Sequence, residues 1–205
     1  MFSLYLITDG RLPASPLCAA LARALHAAPA ARVAVQLRAK QLPAAQLYEL
    51  ALPVLQLCRA HGVPLLINDR VDVALAVGAD GVHLPEKGLQ LSAARALLGE
   101  RALLGVSCHD AAGLEAASSG GASFATLSPV FDSPGKGTQL GLARFAQLAA
   151  RAGLPVLALG GVSASAASAL RSSGAAGLAV ISAVFAANDP GAALSELLAA
   201  WDAGH

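Results

Sequence analysis

The chain has 205 residues, 56% of them hydrophobic and only 13% charged, and its 14 basic and 13 acidic side chains give a formal net charge of +1. That length buries one sizeable core and is read as a single domain over residues 1–205. The balanced, scattered charge leaves no footprint for nucleic acid or an anionic membrane, and no apolar run reaches the roughly 18 residues of a membrane span. A small ligand is the expected partner.

Met1 leads directly into the strand-like segment Ser3 to Ile7, without the charged region, long apolar stretch and cleavage site of a signal peptide, so a cytoplasmic location is expected. Cys18, Cys58 and Cys108 are odd in number and lack CxxC spacing, which argues against a disulfide framework and a zinc site. Assembly into a homo-oligomer stays open.

In chain order, β-rich runs alternate with Ala/Leu-rich stretches of helical period. The predicted pairs are Ser3–Thr8 with Leu17–Ala27, Arg32–Leu37 with Ala44–His61, Pro64–Asn68 with Arg70–Val77, and Gly81–Leu84 with Ser92–Leu98. They continue as Leu103–Ser107 with Ala111–Ser119, Phe124–Ser128 with Leu142–Ala152, Pro155–Leu159 with Ser163–Ser173, and Gly177–Ile181 with Pro190–Ala200. Glycines at 62, 78, 120, 153 and 174 stand where a left-handed residue ends a helix. Eight strand-helix units close more naturally into an α/β, single-domain (β/α)8 TIM barrel than into an open doubly wound sheet, the fallback. No Gly-x-Gly-x-x-Gly follows the first strand and no P-loop occurs, so dinucleotide and P-loop nucleotide chemistry lack support.

The chemistry of such a barrel sits at the C-terminal ends of its strands, and polar residues gather there. Gln36, Arg38 and Lys40 alternate along an extended segment and share one side, with Arg38 and Lys40 suited to an anion. The competing reading is a core ion pair for Arg38 and a surface Lys40. Asn68 offers an amide to a heterocycle edge and Asp69 a carboxylate to Mg²⁺; Asp69 as the cap of the following helix is the rival role, and the two are compatible. His83, Glu86, Ser107 and His109 end the next two strands. Gly160 and Gly161 after the seventh strand, with Ile181 and Ser182 after the eighth, form the turn pair where barrels build phosphate sites. The loop from Ser128 to Gln139 is long, contains Ser133, and carries Lys136 between two glycines, as either a lid over a diphosphate or an ordinary surface loop would.

The segments Gln36-Leu37-Arg38-Ala39-Lys40, Leu66-Ile67-Asn68-Asp69-Arg70, Gly78-Ala79-Asp80-Gly81-Val82-His83-Leu84, Gly105-Val106-Ser107-Cys108-His109, Ser128-Pro129-Val130-Phe131 and Gly160-Gly161 occur in one order. In that order they resemble the thiamine phosphate synthase family, which includes the TenI-type thiazole tautomerases. The resemblance implies coupling of hydroxymethylpyrimidine diphosphate to thiazole phosphate with release of pyrophosphate and use of Mg²⁺. It implies that Gln36, Arg38, Lys40 and Asn68 grip the pyrimidine, that Asp69 binds Mg²⁺, and that Ser107, Ser133 and Lys136 meet the diphosphate. Thiazole phosphate would lie against Gly161, Ile181 and Ser182.

Two positions depart from the synthase pattern. Its second metal-binding Asp corresponds to Gly88, leaving Glu86 as the nearby carboxylate, and its loop Thr corresponds to Gly135. The tautomerase pattern departs as well, because its catalytic His corresponds to Pro129. A proton transfer of that kind would fall to His109 or His83. Two alternatives therefore stand beside coupling: a metal-independent thiazole phosphate tautomerase, and a non-catalytic regulator that retains the phosphate cup. A Cys108–His109 nucleophile pair is disfavoured because adjacent residues on a strand end point apart.

Overall fold

The computed structural model describes residues 2–133, 135 and 137–204. Eight parallel strands close on themselves in chain order: β1 (Leu4–Ile7), β2 (Val33–Leu37), β3 (Leu65–Asn68), β4 (Gly81–Leu84), β5 (Leu103–Cys108), β6 (Phe124–Leu127), β7 (Val156–Leu159) and β8 (Gly177–Val180). Helices α1 (Ala14–His26), α2 (Ala44–Ala60), α3 (Val71–Val77), α4 (Leu91–Leu98), α5 (Ala111–Ser119), α6 (Gly141–Ala149), α7 (Ala164–Ser172) and α9 (Pro190–Asp202) follow them in turn, with a single-turn α8 (Ser182–Phe185) between β8 and α9. The open-sheet alternative is excluded, since β1 pairs with both β2 and β8. No helix among the described residues is long and apolar enough to cross a membrane.

Period-2 alternation sorts each strand into two cores. Leu4 and Leu6, Val33 and Val35, and Leu65 and Ile67 face outward onto the helices in one large cluster. Phe2, Tyr5, Ile7, Ala34, Leu66, Phe124, Leu157 and Ala179 fill the barrel itself. The register stacks the inward residues in layers: Tyr5 is level with Ala34 and Ala179, and Ile7 with Gln36. In β2 the inward position that is apolar at Ala34 therefore becomes polar at Gln36 toward the mouth, while β1 stays apolar there at Ile7.

Two strands, β4 and β8, begin on a glycine, Gly81 and Gly177, for a packing reason. A Cβ at Gly81 would collide with the Leu103 carbonyl, and one at Gly177 would lie 2.8 Å from the Ser3 carbonyl oxygen. Both strands enter the barrel where a neighbouring backbone leaves no room for a side chain. Gly62, Gly78, Gly153 and Gly174 take left-handed conformations, as expected at helix ends. At α5 the left-handed residue is Gly121, with φ 75°, and not Gly120, with φ −81°. Gly120 is instead required by packing, because a Cβ there would lie 2.6 Å from the Leu91 side chain.

Boundaries differ most at α1 and α6. The first begins at Ala14, because Pro16 in the opening turn forfeits no intrahelical bond. The second ends at Ala149, where Arg151 and Ala152 donate to carbonyls three residues back and tighten the last turn. The four-residue α8 is too short to show a period and was not expected.

Candidate active site

The inward strand ends open into a cavity of about 250 Å³. Gln36, Arg38, Lys40 and Asn68 line one side of it, Ser107, His109 and Ser133 another, and Gly160, Gly161, Ile181 and Ser182 a third. His83, Pro85 and Glu86 complete the wall. Of the predicted residues, Asp69 is not part of the lining, and Lys136 lies outside the described residues. A larger groove of about 610 Å³ runs outside the barrel past α1 and α2, but its walls are mostly apolar, with Leu12, Leu17, Leu42 and Pro53 among them. The convergence of polar groups marks the smaller cavity as the site.

The basic side is built from β2. Arg38 is clamped at its backbone by the fully buried Thr8, whose hydroxyl accepts from the Arg38 amide at 2.9 Å and donates to its carbonyl at 3.4 Å. Among the described residues the Arg38 guanidinium joins no ion pair, so the core-ion-pair reading does not hold. An unpaired Arg on the wall of a cavity is a ready anion ligand. Gln36 is 1% exposed and its Nε2 donates to Asn68 Oδ1 at 3.2 Å. This bond fixes both amides and leaves the Asn68 N–H groups and the Gln36 carbonyl oxygen for a heterocycle edge.

The two histidines separate in character. His83 is buried, and desolvation, with the positive Arg38 second, pushes its pKa down to about 3. It is thereby held neutral near pH 7 and is a much weaker base than an ordinary imidazole. His109 presents Nδ1 to the Ser128 carbonyl at 2.7 Å. A carbonyl only accepts, so Nδ1 carries a proton and Nε2 is the nitrogen left to the cavity. Cys108, next in chain, is buried in the outer cluster and its thiol is pushed up to about 12 by burial and then by Glu86 and Asp110, so it is no nucleophile. All three cysteines are unpaired.

The metal expectation meets a different geometry. Asp69 is exposed, does not cap α3, and has φ 64°, a left-handed conformation costly outside glycine. Glu86 rests against α5, where a Cβ at Gly113 would collide with its Oε1. A Cβ at Gly88 would lie 2.8 Å from the Pro85 ring, so a carboxylate there would have to displace that loop. Among the described residues no three His, Cys, Asp or Glu side chains are placed to hold a metal ion. A Mg²⁺ ion at this mouth would therefore rest on substrate phosphate oxygens together with one or two carboxylates.

The glycine turn answers to the protein as well as to any ligand. Gly160 and Gly161 have φ 96° and 63°, and a Cβ at Gly161 would lie 2.5 Å from the Asp132 carbonyl oxygen and 2.7 Å from Phe131 Cβ. The turn is thus pressed against the β6 loop. Beside it, α8 begins at Ser182, and the first amides of a helix have no intrahelical acceptor. Sequence reasoning missed Tyr5 and Thr126, the buried partners of His83, for which the period-2 inward pattern was the available signal.

A closed parallel barrel with a basic, amide-lined cavity at its C-terminal strand ends defines the class of (β/α)8 enzymes that act on small anionic substrates. The family model of thiamine monophosphate synthase matches residues 4–184. A putative thiamine-phosphate synthase of Geobacter sulfurreducens is 46% identical, over 97% of this chain and 93% of the relative. A thiamine-phosphate synthase of Laribacter hongkongensis is 40% identical, over 97% and 94%. The solved thiamine phosphate pyrophosphorylase from Pyrococcus furiosus has a TM-score of 0.88 at 31% identity, with 99% of this chain and 96% of that chain covered. The chain belongs to the thiamine monophosphate synthase family.

Proposed function

We propose that the protein couples hydroxymethylpyrimidine diphosphate to thiazole phosphate, forming thiamine phosphate and pyrophosphate. The observation that carries this reading is the pairing, in one cavity, of a fixed amide couple, Gln36 and Asn68, with the unpaired cation of Arg38. An amide couple suits a pyrimidine edge, and a cation beside it suits the diphosphate that the same molecule carries.

In the proposed reaction the bond between the pyrimidine methylene and the diphosphate oxygen breaks, and its electron pair leaves on pyrophosphate. The pyrimidine ring spreads the positive charge left on the methylene. Arg38 and Lys40 offset the charge gathering on the leaving group, and the hydroxyls of Ser107 and Ser133 donate to its oxygens. The lone pair of the thiazole nitrogen then closes the new C–N bond, with Gly161, Ile181 and Ser182 holding the thiazole phosphate within reach. Mg²⁺ enters this reading only through the family; the offsetting charges named for the leaving group belong to the chain's own side chains.

A tautomerase reading keeps one specific support, the free Nε2 of His109 on the cavity wall. It has no use for the Gln36–Asn68 couple. Titration calorimetry with pyrophosphate and with thiazole phosphate separates the two. Arg38→Gln is expected to weaken pyrophosphate binding roughly 10- to 100-fold while thiazole phosphate binding stays within about twofold. Equal weakening of both ligands would refute the division of the cavity.

A further inference from the structure

Beneath the cavity runs a hydrogen-bonded chain of which the coupling reading uses only Ser107. Tyr5 Oη lies 3.4 Å from His83 Nδ1, and His83 Nε2 lies 3.1 Å from Ser107 Oγ and 3.5 Å from Thr126 Oγ1. The register creates it: His83 is level with Gly105, and Ser107 with Thr126, all on inward positions. Gly105 makes the space, since a Cβ there would lie 2.6 Å from His83 Nδ1 and 2.6 Å from the Phe124 ring.

The direction of each bond follows from the ends. Tyr5 is fully buried and burial raises its pKa further, so its hydroxyl keeps its proton and must donate it. Among the described residues its hydrogen-bond partner is His83 Nδ1. That nitrogen is therefore the bare one, and Nε2 carries the ring proton. Ser107 and Thr126 then accept from Nε2, and an accepting Ser107 keeps its own O–H free for the cavity it lines. The polarity matters because a diphosphate oxygen only accepts. A Ser107 that donated to His83 would turn a lone pair toward the anion instead.

We infer that Tyr5, acting through His83, is a positioning residue that fixes the imidazole tautomer and so turns the Ser107 hydroxyl outward as a donor to an anionic ligand. The inference rests on the diphosphate reading of the cavity. It assigns the buried Tyr5 hydroxyl a part in ligand affinity although no ligand reaches it.

Two measurements on the full-length protein test it. Nitrogen-15 NMR of the His83 ring at neutral pH is expected to show a protonated Nε2 and a bare Nδ1; a protonated Nδ1 in the unmutated protein overturns the inference. Calorimetry with inorganic pyrophosphate then compares the unmutated protein, Tyr5→Phe, Ser107→Ala and the double variant. Each single change is expected to weaken binding about tenfold, and the double variant to bind no worse than Ser107→Ala alone. Losses that multiply in the double variant would make Tyr5 a packing residue only and overturn the relay. Absence of pyrophosphate binding by the unmutated protein would instead sink the diphosphate reading, with the NMR tautomer still deciding the relay. Should Tyr5→Phe fail to fold, the NMR result on the unmutated chain decides it alone.

Discussion

His83→Gln should make the protein less sensitive to acid, and the magnitude follows from the burial of the imidazole. The ordinary value near 6.5 is lowered to about 3 in the folded state, first by desolvation and then by Arg38. Below pH 6.5 the unfolded chain takes up a proton that the folded chain refuses. The stability that a neutral His83 contributes is therefore complete above pH 6.5 and is lost as pH falls toward 3. At about 1.4 kcal/mol per pKa unit, the loss is roughly 2 kcal/mol by pH 5 and of order 5 kcal/mol at pH 3. Against a typical total of about 5–15 kcal/mol this is a large share. Gln keeps a neutral hydrogen-bonding group at the site and removes the titration. Urea unfolding at pH 7, 6 and 5, followed by the fluorescence of the buried Trp201, is the assay. Between pH 7 and 5 the unmutated protein should lose about 2 kcal/mol more than the variant, whatever the offset between them at pH 7. Parallel losses would show that His83 charges freely in the folded state and would refute the account of its burial.

Gly161→Ala forces a side chain into a left-handed residue pressed on Asp132 and Phe131. A destabilisation of about 1–3 kcal/mol in denaturant and weaker thiazole phosphate binding by calorimetry are expected, and unchanged values would mean the turn relaxes freely. Asp69→Gly relieves a left-handed non-glycine residue and is expected to raise stability by up to about 1 kcal/mol. Because strain of this kind is held where a residue serves function, the same change is expected to lower turnover, a separation that unfolding curves and rates measure independently. Cys108, with its thiol pushed up to about 12, should resist iodoacetamide in the native protein at pH 8; rapid labelling read by mass spectrometry would restore the nucleophile it was denied.

The barrel was legible because its signals are local and repeated. Each strand carries its own apolar run, and four of the five glycines expected to end helices in a left-handed conformation do so. The fifth was misplaced by one residue because Gly120 and Gly121 are adjacent, and only the packing against Leu91 shows which must be small for contact and which for backbone. The cavity wall was legible through period-2 alternation, which puts Gln36 and Arg38 on one side. What depended on distance across the barrel was not legible. That Thr8 clamps Arg38, that Tyr5 meets His83, and that Glu86 rests over Gly113 are contacts between strands or elements far apart in sequence. The same limit applied to the metal: Asp69 and Glu86 are both acidic at strand ends, yet one stands outside the cavity lining and the other rests against α5.

Coupling is assayed by incubating the purified protein with hydroxymethylpyrimidine diphosphate and thiazole phosphate, with and without Mg²⁺. Thiamine phosphate is followed by the fluorescence of its oxidised form. Catalytic formation of thiamine phosphate with one pyrophosphate released per product is expected, and its loss in the Arg38→Gln variant. Binding of thiazole phosphate without any thiamine phosphate, under either metal condition, would contradict it.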